Sequence, residues 1–149
     1  MTEQQRRVLI VDDDPDIRDI LTTALREKNL ATDEAMDGAQ ALALLRENRY
    51  AVVLLDLQMP GIDGFGVLEA IDPSEADAPV VLVVSGAGRS VIDRVNSAKI
   101  HGVVKKPFDP FEIADVVAAC AGSKGRSSFE TMAYATLIGS APLIALLKW

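Results

Sequence analysis

The chain has 149 residues, the size of one ordinary domain with a short extension. Hydrophobic residues make up 49% and charged residues 25%, so a folded core is expected rather than intrinsic disorder. The net charge of −7 argues against nonspecific binding to nucleic acid, because such binding requires lysine and arginine side chains that neutralise phosphates.

The first predicted strand–helix pair follows a short polar N-terminus. Residues 8–11 form an apolar, mostly β-branched run that is typical of a strand buried on both faces. Three aspartates, residues 12–14, end this run. Asp14 and Pro15 are suited to the N-cap and the first position of a helix, and apolar residues then recur at helical spacing to about Asn29.

The same alternation continues along the chain. The predicted elements are a weak strand over 31–35, a helix over 39–48, a strand over 51–55, a short helix over 65–71, a strand over 80–84, a helix over 89–99, a strand over 102–104 and a helix over 110–121. Alternating strands and helices with short links predict a parallel sheet covered by helices on both faces. We therefore predict an α/β fold of the flavodoxin-like type, a doubly wound five-stranded sheet of order 2-1-3-4-5.

The last part of the chain differs from the predicted domain at 1–121. Residues 122–128 have the composition of a linker, and residues 129–149 form an apolar tail that is uncharged from 131 to 147. The tail could be a docking or oligomerisation helix, a membrane anchor or the start of an output domain. We favour a helical extension that packs on this domain or forms a homodimer, because an apolar segment needs a partner surface. Glycine, serine and proline interrupt the stretch, which argues against a membrane span.

Polar side chains follow the long predicted strands at their carboxyl ends. Asp12 and Asp13 follow the first strand, Asp56 the third and Ser85 the fourth, and the fifth leads into Lys106. Because the carboxyl ends of parallel strands meet at one edge of a sheet, we expect these side chains to converge. Three neighbouring carboxylates would repel one another, and a hard divalent cation such as Mg2+ would relieve that repulsion.

This combination of groups indicates phosphoryl chemistry. A carboxylate beside Mg2+ can attack a phosphoryl group and form an aspartyl phosphate. The charge on the phosphoryl oxygens then needs cations and hydrogen-bond donors. Lys106 can supply an ammonium group and Ser85 a hydroxyl group.

With these residues in place, the chain resembles the CheY-like receiver domains of two-component response regulators over about residues 7–121. The motifs that carry the resemblance are the aspartate pair after the first strand, Leu-Leu-Asp-Leu-Gln-Met-Pro-Gly around Asp56, Val-Val-Ser-Gly around Ser85 and Lys-Pro-Phe from Lys106. Four motifs in order, each at an expected strand end, are far more specific than any one alone.

The resemblance implies a role for each residue of the motifs. It implies that Asp56 is phosphorylated and that Ser85 and Lys106 contact the phosphoryl group. It further implies Mg2+ as the cofactor, held by Asp12, Asp13, Asp56 and the backbone carbonyl of Gln58. A histidine kinase or a histidine phosphotransfer protein would be the phosphoryl donor. The protein would be no enzyme beyond its own phosphorylation and dephosphorylation, and its output would be a switched protein-binding surface.

One position departs from the family pattern. Val103 stands three residues before the site lysine, where the family usually has an aromatic residue that takes part in the switch. We expect the phosphorylation chemistry to be retained, while the way in which the switch is signalled stays open.

Two other functions are alternatives to this one. A pseudo-receiver would act as a scaffold through the tail without phosphorylation. A phosphatase of the haloacid dehalogenase type would carry a second aspartate two residues after the nucleophile, where this chain has Gln58.

The polar N-terminus has no signal-peptide pattern, which predicts a cytoplasmic protein. The tail is too short for a DNA-binding output domain, so no contact with nucleic acid is expected. Cys120 is interpreted as a buried residue and His101 as a loop or surface residue.

Overall fold

Five strand–helix pairs follow one another in the computed structural model, which describes residues 7–86, 88–95, 98–122 and 144–145. The strands are β1 (Val8–Val11), β2 (Thr32–Ala35), β3 (Val52–Leu55), β4 (Val80–Ser85), β5 (Gly102–Lys105) and β6 (Ile144–Ala145). The helices are α1 (Pro15–Glu27), α2 (Gly38–Glu47), α3 (Gly64–Glu69), α4 (Arg89–Ile92) and α5 (Pro110–Gly122).

The sheet has the order β2-β1-β3-β4-β5-β6, and its first five strands are parallel. This confirms the predicted arrangement 2-1-3-4-5. Successive residues of a strand point to opposite faces, so each strand contributes to two apolar layers. One layer contains Ile10 and Leu54 with residues of α1 and α5, and the other contains Leu9 and Val53 with residues of α2 and α3.

Aspartate side chains cap the helices where they leave the carboxyl edge of the sheet. Asp14 accepts a hydrogen bond from the N–H of Asp16 at 2.9 Å, and Asp37 accepts one from the N–H of Gln40 at 2.8 Å. Such caps satisfy main-chain donors that have no partner within the helix. The predicted start of α1, with Asp14 as N-cap and Pro15 at the first position, is confirmed.

The segment after β4 forms a shorter helix than predicted. α4 ends at Ile92, so the predicted helix over 89–99 is wrong for the described residues 93–95 and 98–99. The next hydrogen bonds run from the N–H of Arg94 to Val91 and from the N–H of Val95 to Ile92, each spanning three residues instead of four. This tighter turn ends the α-helix, and Val95 is buried beneath it.

The described part of the tail is a strand. Ile144–Ala145 pairs antiparallel with Val103 and Val104 of β5, so the predicted helix is wrong for these two residues. The physical reason is the edge of β5, whose main-chain groups can accept a further strand. Gly122 still belongs to α5 rather than to the linker. The remainder of the predicted linker and tail lies outside the described residues, and the predicted homodimer stays a prediction.

Among the described helices, none combines the length and the apolar character needed to cross a membrane.

Candidate functional site

Three carboxylates meet at the carboxyl edge of the sheet. β1 and β3 are paired with Val11 opposite Leu55, so Asp12 and Asp56 leave the sheet at the same level. Carboxylate oxygens of Asp12, Asp13 and Asp56 all lie within 4.8 Å of one another. Asp12 and Asp56 are only 2% and 5% exposed, whereas Asp13 is exposed. The convergence expected from the strand ends is therefore observed.

Lys106 joins the two buried carboxylates. Its Nζ donates to Asp12 Oδ2 at 2.8 Å and lies 3.3 Å from Asp56 Oδ2. Ser85 is fully buried at the end of β4, and its carbonyl accepts a hydrogen bond from the N–H of Lys106 at 3.1 Å. The peptide bond between Lys106 and Pro107 is cis. The structure thus brings Ser85 and Lys106 to the same edge as the acidic residues.

The charges of this cluster are not balanced. Burial raises the pKa of Asp12, although hydrogen bonds from Lys106 and Asp14 oppose that effect. Burial also lowers the pKa of Lys106, but its hydrogen bond to Asp12 and the charge of Asp56 outweigh burial, so this pKa is raised overall. Three carboxylates and one ammonium group leave an excess of two negative charges. Such an all-oxygen set of ligands fits a hard divalent cation.

The peptide after Asp56 is packed tightly against the start of α3. A Cβ atom on Gly64 would lie 2.4 Å from the carbonyl oxygen of Asp56 and 2.6 Å from Cα of Leu57. The N–H of Gln58 donates to Asp56 Oδ1 at 3.2 Å, while the side chain of Gln58 is exposed. Gln58 is therefore next to the carboxylates, and its role as a carbonyl ligand stays a prediction.

Arg18 is a residue of the site that the sequence analysis missed. Its Nη1 donates to the main-chain carbonyl of Asp12 at 2.7 Å, and its Nε donates to Glu34 Oε1 at 3.2 Å. The only signal in the sequence was its spacing, since residue 18 lies one helical turn beyond the N-cap Asp14.

Three further residues lie away from the carboxylates. Val103 is buried in the layer between the sheet and α2 and α3, where it serves as core. His101 lies in the loop before β5, as one of its two predicted positions has it, but it is only 7% exposed, so the alternative position at the surface is wrong. Its Nδ1 accepts a hydrogen bond from the N–H of Val81 at 3.1 Å, which lets a polar ring occupy a buried position. Cys120 is buried as predicted, and burial raises the pKa of its thiol to about 12.

Comparison with known proteins gives a consistent result. The sequence profile of the response regulator receiver domain matches residues 8–118. The DNA-binding response regulator MtrA of Mycolicibacterium smegmatis is 37% identical over 121 residues, which are 80% of this chain and 52% of that protein. The transcriptional regulatory protein PrrA of Mycobacterium tuberculosis is 37% identical over 132 residues, covering 85% of this chain and 55% of that protein. The chain thus spans about half the length of the curated relatives that it matches.

Solved structures show the same fold. The response regulator TrrA of Thermotoga maritima, in complex with Mg2+-BeF, is 30% identical with a TM-score of 0.67, and the match covers 77% of this chain and 98% of that one. The receiver domain of the Francisella response regulator 1452 is 25% identical with a TM-score of 0.67, and the match covers 78% and 97% of the two chains.

Proposed function

The chain belongs to the response regulator receiver domain family of two-component systems, and on that premise we propose that Asp56 accepts a phosphoryl group. The observation that supports this most directly is the position of its carboxylate. It is buried, it lies 3.3 Å from the Lys106 ammonium group, and it shares the carboxyl edge with two further carboxylates. This is the environment in which a carboxylate can act as a nucleophile while neighbouring cations hold the phosphoryl oxygens.

The cofactor in this proposal is Mg2+. Asp12, Asp13, Asp56 and the carbonyl of Gln58 would hold the ion. The all-oxygen ligand set and its negative excess support this choice, and so does the similarity to TrrA, which was solved with Mg2+-BeF. When bound, the ion supplies positive charge beside the phosphoryl oxygens.

The transfer itself is a displacement at phosphorus. An Asp56 carboxylate oxygen attacks the phosphorus of a phosphohistidine, an O–P bond forms, and the P–N bond to the donor breaks. The electron pair of that bond stays on the imidazole nitrogen. Lys106 exchanges its contact with Asp56 for the phosphoryl oxygens, and the Ser85 hydroxyl donates to another of them. The protein acts here on itself and turns over no separate substrate.

The donor would be a histidine kinase or a histidine phosphotransfer protein, and the output a changed protein-binding surface. This agrees with the family, in which the receiver domain takes part in two-component signalling. The DNA binding in the name of MtrA belongs to a protein of which this chain covers 52%.

Acetyl phosphate tests the proposal without a cognate kinase. The protein is incubated with Mg2+ and acetyl phosphate, and its intact mass is recorded. We expect one phosphate adduct that requires Mg2+ and that is absent from Asp56→Asn. Asp16→Asn is the matched control, because Asp16 is an exposed carboxylate in the first turn of α1, and it should be labelled like the wild type.

Two results would contradict the proposal. The first is an adduct of equal size on Asp56→Asn, which would place the phosphate elsewhere. The second is no adduct at all when a known receiver is labelled in parallel. That result would favour the scaffold alternative, whereas steady release of phosphate from small esters would favour the phosphatase alternative.

A further inference from the structure

Asp12 is held at all four of its polar groups. Its main-chain N–H donates to the carbonyl of Ala35 at 3.1 Å. Its Oδ1 accepts from the N–H of Asp14 at 2.9 Å, and its Oδ2 accepts from Lys106 at 2.8 Å. The fourth group, the main-chain carbonyl, accepts from Arg18 Nη1 at 2.7 Å. Arg18 is thus the side chain that fixes the orientation of the peptide following Asp12.

That peptide joins the first two carboxylates of the site. The carbonyl belongs to Asp12 and the N–H to Asp13, so rotating this peptide would move Asp13 relative to Asp12. The side chain of Asp13 is exposed, and its position therefore depends on the main chain that carries it. A hydrogen bond from a charged donor is short and strong, which suits Arg18 to hold the peptide in one orientation.

Arg18 is itself held in place. It extends from α1 with only 15% of its side chain exposed, and its Nε donates to Glu34 Oε1 on β2 at 3.2 Å. Glu34 is 42% exposed, so this ion pair contributes little by itself. The contact with Glu34 orients the guanidinium group of Arg18, whereas the contact with the Asp12 carbonyl holds the peptide between Asp12 and Asp13.

We propose that Arg18 is a positioning residue that fixes the peptide between Asp12 and Asp13 and thereby sets the affinity of the site for Mg2+. This inference rests on the proposed function, since it assumes that the three carboxylates bind the ion. The sign of the effect is diagnostic. The positive charge of Arg18 repels a cation, so the loss of that charge alone would tighten Mg2+ binding. Loss of the peptide's orientation would instead weaken Mg2+ binding.

Calorimetric titration with Mg2+ alone distinguishes these effects. We expect Arg18→Ala to weaken Mg2+ binding by roughly 10-fold or more, the usual consequence of losing a group that orients a metal ligand. Arg18→Lys should recover part of the affinity, because its ammonium group can still donate to the carbonyl. Glu34→Gln is the matched control, because its amide oxygen can still accept from Arg18 Nε and keep the guanidinium group oriented, so it should bind Mg2+ nearly as the wild type does. Labelling of Arg18→Ala by acetyl phosphate should return towards the wild-type rate at saturating Mg2+.

Unchanged or tighter Mg2+ binding by Arg18→Ala would overturn the inference. An equal loss in Glu34→Gln would also overturn it, since Mg2+ affinity would then follow the charge of residue 34 and not the hydrogen bond from Arg18 to Asp12. If circular dichroism shows that Arg18→Ala is unfolded, Arg18→Met, which keeps an unbranched side chain but has no donor, becomes the test, and wild-type affinity in that variant overturns the proposal. A wild-type protein that binds no Mg2+ would refute the proposed function together with this inference, whereas normal wild-type binding with an unaffected variant refutes the inference alone.

Discussion

The two ends of the sheet bury polar groups in different ways. At the amino end, the carboxylate of Asp33 accepts hydrogen bonds from the Tyr50 hydroxyl at 2.7 Å and from Arg7 Nη1 at 3.0 Å. At the carboxyl end, among the residues that the structure describes, Asp12 and Asp56 share one ammonium group. The described contacts at the amino end therefore pair one cation with one carboxylate, whereas those at the carboxyl end leave an excess of negative charge.

This difference bears on how each end of the sheet affects the stability of the fold. A buried polar group that has its full set of partners adds modestly to stability, whereas a buried charge without a counter-charge costs stability. At the amino end, the buried side chains of Tyr50 and His101 follow the first pattern. The carboxyl end keeps an unfavourable charge excess that a bound cation can relieve. The proposed function accounts for this difference, because the ion that it assigns to the carboxyl end would relieve the excess of negative charge there.

The largest expected effect comes from removing Lys106, whose ammonium group Asp12 and Asp56 share. Lys106→Met leaves Asp12 and Asp56 buried without a positive partner, and we expect the free energy of unfolding in EDTA to fall by about 3 kcal/mol. Saturating Mg2+ should reduce this loss, which urea denaturation with and without the ion would show. Lys99→Met is the control at the amino end, where Lys99 Nζ donates to the carbonyl of Leu68 at 3.0 Å, and its smaller loss should not depend on Mg2+. If Mg2+ changed the free energy of unfolding of both variants equally, the proposed difference between the two ends would be contradicted.

The second test removes a complete pair at the amino end. His101→Leu leaves the buried N–H of Val81 without its acceptor, and we expect a loss of about 2 kcal/mol in the free energy of unfolding. His101→Asn offers a carbonyl oxygen in a similar position and should recover part of that loss. Both values should be the same in Mg2+ and in EDTA. A loss in His101→Asn as large as in His101→Leu would show that the ring is needed for packing and not for its nitrogen.

The third test compares the same substitution at the two ends. Burial raises the pKa of Asp12, so the folded protein holds this proton more tightly than the unfolded chain does. The ionised form therefore costs stability at neutral pH, and that cost disappears as the pH falls through the raised pKa. Asp12→Asn should accordingly stabilise the Mg2+-free protein by about 1 kcal/mol, whereas Asp33→Asn should destabilise it by a similar amount. Thermal unfolding in EDTA would check both signs, and destabilisation by both variants would contradict the comparison.

The smallest expected effect concerns the phenol at the amino end. Tyr50→Phe removes one donor from Asp33 and leaves Arg7 in place, so we expect a loss of about 1 kcal/mol or less. Burial and the neighbouring Asp33 raise the pKa of Tyr50, which predicts that its hydroxyl stays protonated well above the pH at which a free tyrosine ionises. The difference between the ultraviolet titrations of the wild type and Tyr50→Phe measures that ionisation without the contribution of Tyr134, and a difference at the pH of a free tyrosine would contradict the prediction.

Much of the fold could be predicted from the sequence because its signals are local. The apolar runs at β1, β3 and β4 are buried on both faces, and short links between strands and helices leave few topologies. In a parallel sheet, the residues that follow those strands lie together at the carboxyl edge. Asp12, Asp56 and Lys106 could be brought together by that reasoning without any knowledge of side-chain positions.

The features that were missed depend on where a side chain or an edge finds its partner. Helical spacing predicts that Arg18 lies on α1, but it does not predict that the guanidinium group contacts the carbonyl of Asp12. The sequence predicts His101 in a loop or at the surface, but it does not show that the ring is buried with the N–H of Val81 as its partner. The pairing of Ile144–Ala145 with β5 likewise joins residues far apart in the chain.

The register of β1 against β3 also limits how this protein can change during evolution. Val11 lies opposite Leu55, and the two acidic residues follow directly after them. Inserting or deleting one residue within either strand would turn every later side chain of that strand to the opposite face. An aliphatic side chain such as that of Leu57 would then replace a carboxylate at the edge. If the proposed chemistry holds, neighbouring positions can change by substitution, whereas the lengths of these two strands must be kept.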